Sequence, residues 1–137
     1  MLAVGEHFRP RFSRDLLRIA SGFAGGIGRS RDDVCGALAG GVMVIGLLCG
    51  RASPEVDDAA CLALVKQWRE TFVGHFGTHT CRPIFDAVRL PGAAGTCAPI
   101  AGEAASLLTQ LLLLAGYKAS EVQPAAAAEQ SPGSPDH

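Results

Sequence analysis

The chain has 137 residues, net charge −1, 48% hydrophobic and 18% charged residues, enough for one domain with a buried core. Its charges are scattered, so it lacks the basic surface that nucleic acid requires as a partner. Ala, Leu and Gly outweigh Val, Ile and aromatics, a balance that predicts an all-α fold: a compact bundle of about four to five helices.

Residues 1–12 are expected to be irregular, with the helical domain over residues 13–118. Ser13 offers an N-cap to a first helix whose Leu16, Leu17, Ala20 and Phe23 share one apolar face. Gly22, Gly25, Gly26 and Gly28 then make a tightly bent loop where backbone can approach another group closely. Ser30 or Asp32 can cap the second helix, which should end at Gly50 in a left-handed turn. Ala37, Gly40, Gly41 and Gly46 leave room for close neighbours, which makes this the central helix. Its uncharged stretch Val34–Gly50 reaches about 25 Å and is glycine-rich, so burial is expected rather than membrane insertion. Arg29, Arg31 and Arg51 flank it and are expected to solvate helix ends.

Ser53, Pro54 and Glu55 predict the start of a third helix running to Phe76. Cys61, Val65, Trp68, Phe72 and Phe76 would form its core stripe, leaving Lys66, Arg69 and Glu70 in water. Gly77 should end it. Thr78 or Thr80 would cap a short helix carrying Cys81, Ile84, Phe85 and Val88, which breaks at Leu90-Pro91-Gly92. The last helix, about Pro99 to Lys118, presents Ile100, Ala104, Leu107, Leu108, Leu111 and Leu114. Residues 119–137 read as a low-complexity, disordered tail.

The five cysteines are Cys35, Cys49, Cys61, Cys81 and Cys97. An odd number disfavours a fully oxidised secreted scaffold, and Met1–Arg18 lacks the pattern of a secretory leader. A reducing, cytoplasmic setting follows as an expectation. Cys35 and Cys49 stand about 21 Å apart along one helix, too far for a disulfide or a shared metal. Cys49 and Cys61 are assigned to packing. Cys35, Cys81 and Cys97 sit at or just before helix starts, where free N–H groups and the helix dipole lower a thiol pKa.

Three such thiolates could ligate a soft metal, with an iron–sulfur cluster preferred over zinc, or two could form a reversible disulfide. Either His75 or His79 could add a nitrogen ligand or act as a base for the thiol. The bland reading of both is solvent-facing loop histidines, and His7 and His137 are expected to carry nothing. No CxxC motif occurs, so any site must be assembled by tertiary packing. Gly25, Gly26 and Gly28 lack the spacing and neighbours of a phosphate loop. They are expected to bring the chain close to the cysteines, as cofactor-side backbone if a cofactor is held.

The segment SGFAGGIGRSRDDVCGALAGGVMVIGLLCG, with its CGAxxG element at Cys35, Gly36, Ala37 and Gly40, resembles a four-cysteine family with a C…CGAxxG…C…C pattern. FGTHTC around Cys81 and the late Cys97 match that family in order and spacing, over roughly residues 15–115. The resemblance implies a redox role, itself inferred from cysteine chemistry, at Cys35, Cys81 and Cys97. It gives no counterpart to Cys49 or Cys61. The family's first cysteine lies upstream of the residues matching Leu16 to Phe23 and is missing here, so His79, water or a small molecule would complete the site. The functional expectation is a redox-active or metal-binding cysteine protein with an unidentified redox partner. Its rival is a non-catalytic helical assembly module, a homodimer through the small-residue helix, with passive cysteines.

Overall fold

The computed structural model describes residues 2–9 and 13–119. Its helices are α1 (Leu2–Phe8), α2 (Arg14–Ser21), α3 (Gly36–Cys49), α4 (Ala59–Phe76), α5 (Cys81–Val88) and α6 (Ala98–Leu114). The fold is all-α, with six helices among the described residues where four to five were expected. α3, α4 and α6 pack against one another, and α1 lies on α6. Residues 120–137, most of the expected disordered tail, lie outside the described residues.

The small residues of α3 decide how its neighbours approach. A Cβ on Gly41 would overlap the Trp68 indole, whose Nε1–H donates to the Leu38 carbonyl at 3.0 Å. That bond satisfies the polar end of a fully buried ring. Trp68 also meets Phe72 edge-on, with ring centroids 5.7 Å apart. Around this pair the core collects Leu38, Val44, Ile45, Leu64, Leu108, Leu111 and Leu112. Cys61, Trp68 and Phe72 of the expected α4 stripe are buried, as is Leu64, whereas Val65 and Phe76 pack at its edge. On α6, Ala104, Leu108 and Leu111 point inward as expected, but Leu114 at the frayed end is exposed.

Several boundaries differ from the sequence expectation. Residues 2–8, expected to be irregular, form α1: a seven-residue helix is marginal in isolation, and burial of Val4 and Phe8 one turn apart stabilises it. An Arg9 guanidinium bond to the Leu47 carbonyl, 2.9 Å, ties its end to α3. Ser13 caps α2 through the Asp15 N–H, yet α2 buries none of its residues, so its apolar face does not join the core.

Ser53-Pro54-Glu55 closes a single turn through a Val56 N–H bond to the Ser53 carbonyl, 3.3 Å. The helix restarts only at Ala59, whose N–H is taken by the Asp57 carboxylate at 3.0 Å. Gly50 follows α3 with φ −67° and so makes no left-handed turn; its need for glycine is steric, because a Cβ there would strike the Gly46 carbonyl. Gly77 does end α4 in the left-handed region, with φ 77°. No helix among the described residues is long and apolar enough to cross a membrane.

Candidate functional site at the start of α3

The glycine-rich loop between α2 and α3 runs in the left-handed region. Gly25, Gly26, Ile27, Gly28 and Arg29 have φ of 63°, 73°, 51°, 59° and 63°, and Arg31 follows at 64°. Each non-glycine in this region costs about 1–2 kcal/mol, so the loop holds strain that the surroundings must offset. Long-reach backbone bonds do so: Gly28 N–H to the Gly22 carbonyl at 2.8 Å and Arg31 N–H to the Gly25 carbonyl at 2.9 Å. The Ser30 hydroxyl donates to the Gly26 carbonyl. Ser30 and Asp32 are thus absorbed by the loop, and the residue at the N-cap of α3 is Cys35.

Beyond the loop the chain pairs with the start of α5. Val34 and Thr80 form an antiparallel bridge, closed by Cys35 N–H to the His79 carbonyl at 2.8 Å and Cys81 N–H to the Asp33 carbonyl at 2.9 Å. Two helices therefore begin side by side, one from Cys35 and one from Cys81. Arg82 reinforces the junction with two bonds to the same Asp32 carboxylate oxygen, at 2.8 and 2.6 Å, and a bond to the Ser30 carbonyl. The Arg31 N–C=O unit adds another, its carbonyl accepting from Arg82 N–H at 2.8 Å.

Gly26 fits into this junction because it has no side chain. A Cβ there would lie 2.8 Å from the Cys81 Cβ and 3.0 Å from the Arg31 Cα. Gly26 of the loop thus passes close to Cys81. Gly25 instead approaches Arg29, and Gly28 faces open space.

Cys35 and Cys81 are buried thiols, whereas Cys97, the residue before α6, is exposed. Burial pushes the Cys81 thiol up, and negative charge on Cys35 and then on Cys97 pushes it the same way; Arg31 and Arg82 pull it down. Cys35 and Cys97 therefore both act on Cys81. The direction corrects the expectation of a helix-start thiolate at this position: desolvation of a buried sulfur outweighs the helix end and both arginines.

Arg31 is the residue that sequence reasoning misplaced. Expected to solvate a helix end, its guanidinium carbon instead sits 3.6 Å from the centroid of the Phe85 ring, a cation–π contact. Its Nε is buried without a hydrogen-bond partner. Arg89 approaches the same ring at 5.2 Å. The available signal was the placement of Arg31 between the glycine loop and Cys35, together with Phe85 one turn after Cys81.

His79 contributes its backbone carbonyl to Cys35, and the residue is exposed. His75 bonds the Glu103 carboxylate at 2.8 Å, linking α4 to α6. Among the described residues no three His, Cys, Asp or Glu side chains are grouped so as to hold a metal ion. Cys35, Cys81, Cys97 and His79 as placed therefore do not assemble the donor set expected of a zinc or iron–sulfur site.

The other two cysteines depart from a purely packing role. Cys49, ending α3, and Cys61, in the first turn of α4, bring their sulfurs to 2.6 Å. Burial, and then the hydrogen bond and charge of Cys49, push the Cys61 thiol up to about 12.

The family model described as "Putative redox-active protein (C_GCAxxG_C_C)" matches residues 1–111. No curated protein and no solved structure matches the chain.

Proposed function

We propose, from the premise that the chain belongs to the C_GCAxxG_C_C family of redox-active proteins, that Cys35, Cys81 and Cys97 carry two-electron thiol–disulfide exchange. The observation that carries this reading is the Val34–Thr80 bridge, which fixes Cys35 and Cys81 at adjoining helix starts. Cys97, the exposed member, attacks a disulfide RSSR of the redox partner; its S–S bond breaks and one RSH leaves. Cys81 then attacks the Cys97 sulfur and releases the second RSH, and Cys35 takes over the bond from Cys97, leaving a Cys35–Cys81 disulfide. Two protein thiols are oxidised and one RSSR is reduced to two RSH.

Arg31 and Arg82 support the middle step. Their positive charge favours the Cys81 thiolate against burial. A reducing, cytoplasmic setting suits thiols that rest reduced and oxidise on encounter.

The test is a redox titration of the full chain after anaerobic purification, with metal analysis and peptide mapping. A reversible disulfide among Cys35, Cys81 and Cys97, lost in Cys81→Ser, is the expected result. Stoichiometric iron or zinc that protects these thiols would replace exchange with metal binding. The rival reading is a non-catalytic assembly module that pairs through the small-residue helix α3, although Gly41 of that helix is already covered by Trp68 of the same chain. It predicts a Cys35→Ser/Cys81→Ser double variant with unchanged thiol reactivity and stability.

A further inference from the structure

The sulfurs of Cys49 and Cys61 lie at the opposite end of α3 from the family site. Helix α3 ends at Cys49, the chain turns through residues 50–58, and α4 brings Cys61 back beneath it. The Sγ···Sγ separation of 2.6 Å is far inside a thiol–thiol contact and a little over half an ångström beyond a covalent bond of about 2.0 Å. Both sulfurs are directed to one carbonyl, Ile45 O, at 3.2 Å from Cys49 and 3.9 Å from Cys61. The ordinary course of helix packing has therefore placed two thiols where a small movement closes them.

The pair is also accessible from one side. Cys49 and Cys61 line a surface hollow of about 380 Å³ with Ala60, Leu64, Gln67 and Tyr117. Cys61 is buried, whereas Cys49 is half-buried. Tyr117 lines the hollow beside Cys49, whose sulfur, followed by burial, pushes the phenol up to about 12. Tyr117 therefore stays protonated across the physiological range, able to donate to a sulfur that carries negative charge.

We propose that Cys49 and Cys61 form a second thiol–disulfide couple, oxidised by small organic disulfides that reach Cys49 through this hollow, and that its closure links α3 covalently to α4. The Cys49 thiolate attacks one sulfur of RSSR; the S–S bond breaks, and the departing thiolate takes up a proton as RSH. The resulting mixed disulfide on Cys49 faces Cys61, whose sulfur attacks the Cys49 sulfur and expels the second RSH, which takes the Cys61 proton. Two protein thiols lose two electrons and RSSR becomes two RSH. Cys61, held protonated by burial, is the resolving partner, and Cys49, the half-buried one, makes the first attack on RSSR. The couple stands apart from the exchange proposed for Cys35, Cys81 and Cys97 and does not depend on it.

The experiment uses the full-length chain equilibrated in glutathione and glutathione disulfide buffers, with remaining thiols alkylated. Cleavage at Met43 and after Arg51 and Lys66 places Cys35, Cys49 and Cys61 on three separate peptides. The expected product is a Cys49–Cys61 peptide pair that dithiothreitol separates, with a melting midpoint raised by about 5 °C over the reduced chain. Cys49→Ala should abolish the pair and leave Cys61 unmodified by glutathione, because only Cys49 makes the first attack on the disulfide. Glutathione retained on Cys49 without a link to Cys61, or both thiols still alkylated at the most oxidising ratio, would overturn the proposal. Exchange at Cys35, Cys81 or Cys97 appears on other peptides, so failure of either couple is read separately.

Discussion

The two ends of α3 each bring cysteines together, by opposite means. At the N-terminal end the approach of Cys35 and Cys81 depends on a run of left-handed residues, a two-bond backbone bridge and an arginine–carboxylate clasp. At the C-terminal end Cys49 meets Cys61 through the plain antiparallel return of α4 on α3. Strain is concentrated at the first, and the second needs no unusual conformation. A strained junction has little tolerance for added atoms, whereas a helix–helix contact can adjust by sliding, so the two ends should respond differently to substitution and to pH.

The largest difference should come from glycines placed at the two ends. Gly26→Ala adds a Cβ against Cys81 and retains a positive φ, and it should cost about 3 kcal/mol. Gly46→Ala, one turn before Cys49 and with open space around it, should be neutral or stabilise by about 0.5–1 kcal/mol. Urea denaturation of both variants checks the contrast, and equal costs would erase it.

Alkaline pH probes the C-terminal end. Cys61 and Tyr117 have folded-state pKa values raised to about 12 from ordinary values of 9.0 and 10.0. Above pH 9 the unfolded chain therefore binds fewer protons than the folded one, so stability, complete below pH 9, declines as pH rises toward 12. Melting midpoints measured from pH 8 to 11 should fall, and the fall should be shallower in Cys61→Ala than in Cys81→Ala.

A smaller effect, confined to the N-terminal end, is expected of Arg31→Met. Loss of a charge that favours the thiolate should slow alkylation of Cys81 about three- to tenfold near pH 8. Stability should change little, since the lost cation–π contact is offset by removal of an unpartnered buried donor. Stopped alkylation followed by peptide mapping checks it, with Cys49 as the internal control. Smallest of all is His75→Ala, which removes an exposed pair with Glu103. It should shift stability by no more than about 0.5 kcal/mol and leave alkylation of every cysteine unchanged.

Much of the fold was legible in sequence order because it is written locally. Ser13 caps α2, Gly77 ends α4, and Cys35, Cys81 and Cys97 stand at the starts of α3, α5 and α6. Capping chemistry, glycine placement and helical spacing act over a few residues, so they survive reading without a structure. The small residues of α3 likewise announced a close neighbour, which proved to be Trp68 above Gly41.

What tertiary structure alone decided involves residues whose partners are distant in the chain. α1 exists because Val4 and Phe8 find a core to enter. Arg31 leaves the solvent because Phe85 waits 54 positions later, and Cys81 resists ionisation because folding removes its water. The thiol pair shows the same limit most plainly. Ser53-Pro54-Glu55 carries every local start signal, but α4 begins at Ala59, and only that delay sets Cys61 in a first turn opposite Cys49. Local propensity ranks possible helix starts; the packing of α4 against α3 selects among them, because burying Trp68 and Phe72 outweighs one favourable cap.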